Sequence, residues 1–181
     1  MKGIVFTEFV EMVEKDFGYE TLDRVLTVDA LESKGVYTAV GTYSFEEMLI
    51  LLTNLSEESS LSINELLHSF GRYFFKVINT SYKSILDSYD NPIEFLSSLD
   101  SHIHVQVRKI YPDAELPRFD TLEKGKDKLK LRYTSTRGMA YFALGLMEKT
   151  FEHFGTNYEL KMHEAVPDSL TDVLFDITIN D

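Results

Sequence analysis

The spacing of apolar residues changes its period once along this chain, close to Pro112. Upstream of that proline, apolar side chains recur every three or four residues, as Phe6, Phe9 and Val13 do, which is the period of an amphipathic helix. Downstream, apolar and polar residues alternate in short runs, which is the period of a strand with one buried face. The first part of the chain is therefore predicted to be helical, and the remainder to contain a sheet.

Helix signals fill most of the first 110 residues. The predicted helices cover residues 2–17, 21–30, 45–55, 63–77, 82–89 and 92–110. Ser44 with Glu47, and Ser62 with Glu65, have the spacing of a capping box, in which two side chains satisfy free backbone groups at a helix start. Each pair therefore predicts a helix that begins at the next residue.

Four strands and one further helix are predicted after Pro112. The strands cover residues 116–122, 129–136, 158–162 and 173–179, and the helix covers residues 139–154. The predicted fold class is α+β: an amino-terminal helical lobe followed by a small antiparallel sheet with a crossing helix.

The chain is expected to form one domain. Its 181 residues are enough for one sizeable core, and they contain neither a repeat nor a clear linker. A soft boundary near residue 60 predicts two lobes within this domain, at about 1–60 and 61–181.

Charge and cysteine content exclude several classes of function. The net charge of −12 argues against binding nucleic acid or an anionic membrane, since both need a basic surface. The chain has no cysteine, so disulfides, thiolate zinc sites, cysteine-bound iron–sulfur clusters and cysteine nucleophiles are impossible. No apolar run approaches the ~20 residues of a membrane span, and the start is too polar for a secretory signal. We therefore expect a cytoplasmic protein.

Tyr133, Ser135 and Arg137 form the row of residues that most suggests a binding site. Alternate residues of a strand point to one face, so this spacing predicts a phenol, a hydroxyl and a guanidinium side by side. Arginine pairs with carboxylates through a two-pronged fork, which the hydroxyls could complete. The row fits a ligand with flexible acidic arms. The alternative is an ordinary amphipathic strand with a polar face.

Several short segments of the chain occur in a characteristic order. The chain opens with MKGIVF, carries IHVQV at 103–107 and LPRF at 116–119, and then has YTSTR at 133–137 and LGL at 144–146. In order and spacing, these segments resemble the H-NOX family (haem nitric oxide/oxygen binding domains), the stand-alone bacterial gas sensors related to the haem domain of soluble guanylate cyclase. The resemblance covers essentially all 181 residues.

The resemblance implies a haem b group (iron protoporphyrin IX) buried between a distal lobe, 1–60, and a proximal lobe, 61–181. It implies that His104 is the proximal iron ligand, and that Pro117 presses on the porphyrin and bends it. His102 lies only two positions away, about 200° around a helix, so the two histidines cannot share one metal. The distance to the downstream Pro-Arg pair selects His104. Tyr133-x-Ser135-x-Arg137 would hold the propionates.

The resemblance also implies an apolar pocket on the gas-binding side. Oxygen-binding members place a tyrosine five residues after the motif arginine, and this chain has Phe142 there. The companion positions are identified as Phe9 and Phe74, and Leu146 is a further contact of the cofactor. Tyr141 is the neighbouring alternative, because a helix slip of one residue would bring its hydroxyl inward. Apolar side chains favour nitric oxide and carbon monoxide over oxygen.

By this resemblance, the chain would be a nitric oxide sensor and not an enzyme. Binding would release His104, relax the bent haem over Pro117 and shift the amino-terminal lobe, which a histidine kinase or a cyclic-di-GMP enzyme would detect. Two alternatives remain: a haem-free interaction or scaffold domain of the same fold, and a haem enzyme with peroxidase-like activity. The apolar pocket argues against the enzyme.

Overall fold

Helices dominate the first 110 residues of the structure, a computed structural model that describes residues 1–167 and 169–180. Helices α1 to α6 are Gly3–Phe17, Tyr19–Leu26, Phe45–Ser59, Ile63–Ser81, Lys83–Leu86 and Pro92–Ser97. A π-helical turn, Leu99–Ile103, follows α6 and leads directly into α7, His104–Ile110. The single helix predicted for 92–110 is therefore three segments, with the wide turn in the middle.

The second half contains a four-stranded antiparallel sheet and one helix. Strands β1 to β4 are Arg118–Lys124, Lys128–Thr134, Tyr158–Glu164 and Asp172–Ile179, and α8 is Ala140–His153. The strand order is β1-β2-β4-β3, with Phe119 paired to Tyr133 and Tyr133 paired to Val173. The predicted α+β class and its antiparallel sheet are confirmed. Among the described residues, no helix is long and apolar enough to cross a membrane.

Strand β2 is shorter than predicted. It ends at Thr134, and the chain turns at 136–137 before Gly138, whose φ of 62° lies in the left-handed region that glycine favours. The amide of Ser135 still donates to the Thr171 carbonyl at 2.8 Å. Arg137 therefore lies in a turn, and the strand alternation assumed for it is wrong.

One of the two predicted capping boxes is complete. Ser62 accepts from the Glu65 amide, and the Glu65 carboxylate accepts from the Ser62 amide at 2.8 Å. Glu47 departs from the pattern, because its buried carboxylate accepts from the Tyr37 hydroxyl at 2.8 Å and from Ser33. Glu47 thereby ties α3 to the loop that precedes it, while Ser44 alone caps the helix.

The buried apolar residues form two clusters. The amino-terminal cluster packs α1 to α3 against the first half of α4, and includes Phe9, Leu51 and Phe70. The sheet-side cluster packs α8 against the sheet, and includes Phe75 and Phe175. The division between the clusters lies within α4, and the cavity described next has walls from both.

Helices α4 and α8 approach closely at two glycines. A Cβ atom at Gly71 would lie 2.1 Å from the Phe142 carbonyl oxygen, and one at Gly145 would lie 2.2 Å from the His68 carbonyl oxygen. Even a methyl side chain at either position would therefore require the backbone to move. The absence of Cβ atoms at these positions therefore sets where Phe142 lies against α4.

Candidate functional site

A mostly apolar cavity of about 300 Å³ lies between the two clusters. Val5 and Phe142 line it from the amino-terminal side, and Leu96 and Phe119 line it from the sheet side. Its polar lining includes one imidazole and, elsewhere, a group of hydroxyl and charged side chains. This combination suits a largely apolar molecule that carries acidic groups at one edge.

His104 lines the cavity directly after the π-helical turn and is 8% exposed. Its Nδ1 atom lies 2.8 Å from the Oδ1 atom of Asp100. Burial lowers the pKa of His104, and the nearby Asp100 carboxylate opposes that shift. With Nδ1 donating to the carboxylate, a neutral imidazole keeps its lone pair on Nε2, which is the form that binds metals.

His102 does not line the cavity. Its Nδ1 atom lies 2.5 Å from the Tyr89 hydroxyl oxygen, so the ring is engaged on another side of the π-helical turn. Of the two neighbouring histidines, His104 is therefore the one that lines the cavity. That His104 binds iron is a proposal taken up below.

Pro117 lines the cavity just before β1. The neighbouring Phe119 ring has its centroid 5.9 Å from that of His104, so this stretch of chain lies on the same side as the imidazole. A proline ring has few conformations and cannot donate a backbone hydrogen bond. It can therefore act on a bound ligand only by steric contact.

Tyr133, Ser135 and Arg137 all line the cavity, although only Tyr133 belongs to a strand. Tyr133 is 2% exposed, and burial raises the pKa of its hydroxyl, which therefore remains a donor. Arg137 donates to the Glu115 carbonyl at 2.8 Å and pairs with the Glu115 carboxylate. The predicted grouping is present, with an acidic neighbour that the sequence analysis missed.

The cavity opens into a polar cleft of about 670 Å³ through four shared residues, which we call the charged mouth: Met1, Lys2, Glu115 and Arg137. The Lys2 ammonium contacts the Thr42 hydroxyl and the Asp113 carboxylate, both at 3.0 Å. Two side-chain cations therefore frame the opening, which is where the acidic groups of a ligand would be stabilised.

The three phenylalanines predicted for the gas-binding side occupy different places. Phe74 and Phe142 line the cavity, with ring centroids 5.5 Å apart. Phe9 does not line it; its ring packs edge-on against Phe70 at 5.2 Å, and Phe70 contacts Phe142 at 5.1 Å. Phe9 is thus one ring removed from the cavity. The alternative residue, Tyr141, is not among the lining residues either.

Other lining residues were not predicted. Ile4, Val5 and Leu99 line the cavity, and the sequence analysis named none of them. Leu146, which it did name, lines the cavity too. Asp100 does not line the cavity but holds His104, and it was missed too, although its position four residues before His104 is a spacing at which helical side chains meet. The helical period marked the apolar residues as buried without indicating which of them face the cavity.

A bare metal ion does not fit this donor set. Among the described residues, no three histidine, cysteine, aspartate or glutamate side chains form a group that could hold a metal. A single imidazole suffices when the other ligands come from the cofactor, as in haem, whose iron takes one protein ligand at its axial position. An apolar cavity with one buried imidazole, together with the cations of the charged mouth, fits haem and its two carboxylates.

Comparison with known proteins decides the family. The family described as haem-NO-binding (HNOB) matches residues 2–162.

The chain belongs to this family, the H-NOX proteins.

Solved H-NOX structures align over nearly the whole chain. The H-NOX protein from K. algicida, crystallised in the unliganded Fe(II) state, is 51% identical, with 100% of this chain and 97% of that chain covered and a TM-score of 0.96. The H-NOX from Shewanella woodyi, solved in solution in the IWP-051-bound Fe(II)CO state, is 41% identical, covers 98% and 94%, and has a TM-score of 0.82.

A more distant H-NOX structure shows the fold alone. The protein from S. oneidensis in the Fe(II)NO state is 21% identical, with 100% of both chains covered and a TM-score of 0.90. Comparison with curated proteins gave no match. H-NOX domains are haem-binding gas sensors rather than catalysts, and the two Shewanella relatives were solved with nitric oxide or carbon monoxide bound.

Proposed function

We propose that this H-NOX protein binds haem b and senses nitric oxide, with His104 as the proximal iron ligand. The arrangement of His104 supports this most directly. It is a buried imidazole in an apolar cavity, with Nδ1 engaged by Asp100 and Nε2 left to bind a metal. When bound, haem would supply a ferrous iron, which His104 would hold and which can bind a diatomic gas.

The charged mouth would hold the haem propionates. Arg137 offers a guanidinium fork, and the Tyr133 hydroxyl and Ser135 complete the row. Lys2 is a second cation at the same opening. Charge on the ligand would thus be stabilised at the edge of the cavity, while its apolar ring lies among apolar side chains.

Selectivity for nitric oxide would come from the aromatic wall of the cavity. Bound oxygen carries partial negative charge, which a hydrogen-bond donor stabilises, whereas nitric oxide and carbon monoxide need no donor. Phe74 and Phe142 offer none, and the Tyr141 hydroxyl lies outside the cavity lining. We therefore expect binding of nitric oxide and carbon monoxide without a stable oxygen complex.

Signalling would follow from release of His104 and relaxation of the haem over Pro117. His104 is the first residue of α7, and Val105 and Ile110 of that helix are exposed. Freeing His104 would therefore change a surface that a partner can bind. A histidine kinase or a cyclic-di-GMP enzyme is the expected partner, and the net charge of −12 suits one with a basic face.

A second candidate is a haem-free interaction domain of the same fold. The pairing of Arg137 with Glu115 favours it, because the main cation of the mouth has a partner within the chain. One measurement distinguishes the two candidates: after haem is added, the purified sensor should show a Soret absorption band and the interaction domain should show none.

The test is an ultraviolet–visible spectrum of the ferrous protein under nitrogen, with nitric oxide, and in air. A sensor should show a five-coordinate ferrous spectrum that changes with nitric oxide and does not form a stable oxygen complex in air. A protein that takes up no haem would overturn the proposal in favour of the interaction domain. A haem protein whose spectrum does not change with nitric oxide would overturn the sensing role alone.

A further inference from the structure

The Tyr89 hydroxyl connects two residues of the turn that carries His104. Ser98 Oγ lies 2.6 Å from the Tyr89 oxygen and 2.8 Å from the Phe95 carbonyl oxygen, so its one proton is shared between two acceptors, and the Tyr89 oxygen lies 2.5 Å from His102 Nδ1. With Nδ1 as the acceptor, the Tyr89 hydroxyl donates to His102. We call this chain of two hydrogen bonds, from Ser98 through Tyr89 to His102, the Tyr89 bridge.

The Tyr89 bridge spans most of the π-helical turn, from Ser98, which precedes the turn, to His102, the fourth residue of the turn. The Ser98 carbonyl accepts from the amides of His102 at 2.8 Å and Ile103 at 3.2 Å. A π-helical turn is rare and usually occurs as a single wide turn at a functional position. The Tyr89 bridge adds side-chain hydrogen bonds across this turn, between the same residues that its backbone connects.

Two properties of His104 depend on the turn. The His104 amide donates to the Leu99 carbonyl, so the geometry of the turn sets the direction in which the residue leaves the backbone. Asp100, which holds His104 Nδ1, is also a residue of the turn. Any loosening of the π-helical turn would therefore change both the position of the imidazole and its hydrogen bond.

Tyr89 lies outside this segment and is itself well anchored. Its ring packs edge-on against Phe95 of α6, with centroids 5.4 Å apart, and lies 5.9 Å from the His102 ring. Its place is therefore set by packing, and its hydroxyl can act as a fixed point for the turn. It does not line the cavity, so its effect on a bound ligand has to pass through His104.

We propose that Tyr89 is a positioning residue, which holds the π-helical turn through the Tyr89 bridge and thereby sets how readily His104 leaves the iron. The inference rests on the proposed role of His104 as the proximal ligand. A firmly held turn restrains the imidazole to one direction. A loose turn would let the imidazole move with a bound iron, so we expect slower release of His104 where the turn is loosened.

Tyr89→Phe tests the bridge, because it removes the hydroxyl and keeps the ring. Tyr158→Phe is the matched control, since that ring stacks on Phe151 at 4.5 Å and is far from the turn in sequence. Amide hydrogen exchange of the full chain as purified should be roughly 3- to 10-fold faster at His102, Ile103 and His104 in Tyr89→Phe, as expected for the loss of one net hydrogen bond. Tyr158→Phe should leave those amides unchanged.

The iron–histidine stretching band in resonance Raman spectra reports the bond itself. We expect a shift of this band in the ferrous haem protein with Tyr89→Phe and none with Tyr158→Phe. His102→Ala should shift the band in the same direction, and His102→Asn should largely restore it, because the asparagine oxygen occupies nearly the place of Nδ1 and accepts the same hydrogen bond. Release of His104 on nitric oxide binding, followed by stopped-flow absorption, should be slower in Tyr89→Phe and His102→Ala.

The outcomes separate this inference from the proposed function. Faster exchange with an unchanged stretching band would confine Tyr89 to a structural role and overturn the inference. Unchanged exchange in Tyr89→Phe would overturn it as well. If the unmutated protein takes up no haem, the proposed function fails and the inference fails with it, whatever the exchange shows. If the unmutated protein binds haem and nitric oxide while Tyr89→Phe behaves as Tyr158→Phe does, the inference alone fails.

Discussion

The Nδ1 atom of His104 lies 2.8 Å from the Oδ1 atom of Asp100, which precedes it by four residues across the π-helical turn. This hydrogen bond determines which nitrogen of the ring carries the proton. A carboxylate on the far nitrogen also raises the basicity of the nitrogen that binds a metal. Asp100 is therefore part of the proposed iron site, although it does not line the cavity.

Replacing His104 tests the proximal bond. His104→Gly should lose the five-coordinate ferrous spectrum and regain it with added imidazole, because the glycine leaves space for a free ligand. His102→Ala should keep the five-coordinate absorption spectrum, since His102 does not line the cavity and its loss from the Tyr89 bridge should change only the strength of the bond to His104. The measurement is absorption of the ferrous proteins, and interchanged results for the two variants would reject the assignment.

Arg137→Ala should weaken haem retention. A hydrogen bond to a charged group contributes about 1.5–3 kcal/mol, so the variant should lose haem at least about tenfold faster. Transfer of haem to an excess of apomyoglobin measures the rate. Thr134→Ala is the control, because Thr134 is exposed on β2 and does not line the cavity. Similar rates of haem loss from both variants would mean that the charged mouth does not hold the propionates.

Glu115→Gln should have the opposite effect from Arg137→Ala. Glu115 is 81% exposed at its side chain and pairs with Arg137, so its carboxylate competes with a propionate for the same guanidinium. Removing that charge should slow haem transfer by a few-fold, while Glu123→Gln on β1 should not change it. Faster transfer from Glu115→Gln would instead show that Glu115 orients Arg137 for the ligand.

Phe142→Tyr should slow the dissociation of oxygen from the ferrous protein, if the new hydroxyl faces the cavity that Phe142 lines. The unmutated protein should form no stable oxygen complex, because Phe74 and Phe142 carry no donor. Stopped-flow absorption after mixing with oxygen measures both. Tyr141→Phe is the control and should change nothing. A stable oxygen complex that disappears in Tyr141→Phe would mean that Tyr141 turns inward.

The charged neighbours of Glu152, one on α8 and one on α4, predict a dependence of stability on pH. A hydrogen bond from Lys149, and one from Arg72, lower the pKa of Glu152 below its ordinary value of 4.5. A carboxylate with a lowered pKa stabilises the fold above the pKa of the unfolded chain, and that contribution is lost as pH falls through the folded value. The effect is modest because the side chain is 40% exposed.

Urea unfolding of the unmutated protein and Glu152→Gln measures this contribution. The difference in free energy of unfolding should be largest near pH 7 and should shrink as pH falls below about 4.5. A difference that stays constant from pH 7 to pH 3 would contradict the pairing.

The sequence predicted the elements well where the signal is local. The helical period of Phe6, Phe9 and Val13, and the Ser62–Glu65 capping box, depend on neighbouring residues, and the structure has both. The π-helical turn was missed because its apolar residues also fit an ordinary helix. Glu47 departs from its capping box because tertiary contacts with Ser33 and Tyr37 compete for the carboxylate.

The sequence predicted only part of the site, because local patterns do not determine which side chains face the cavity. Periodicity places Phe9 and Phe142 on apolar helix faces, but packing across α1, α4 and α8 decides which of them reaches the cavity, and Phe70 lies between Phe9 and the lining. Arg137 reaches the cavity from a turn rather than a strand, so the three side chains meet there for a reason other than strand alternation, and their binding of a cofactor stays a prediction.

The last of the four strands to be synthesised, β4, lies inside the sheet between β2 and β3. Among the described residues, β3 pairs only with β4, so the sheet cannot be completed until β4 has left the ribosome. The buried residues of the amino-terminal cluster, Met139 excepted, come from the first 70 residues and can pack much earlier. At roughly 5–20 residues per second, β4 is therefore synthesised several seconds after the amino-terminal cluster, whereas the last residue that lines the cavity, Thr150, precedes both β3 and β4, so the walls of the cavity are made before the sheet behind them is complete.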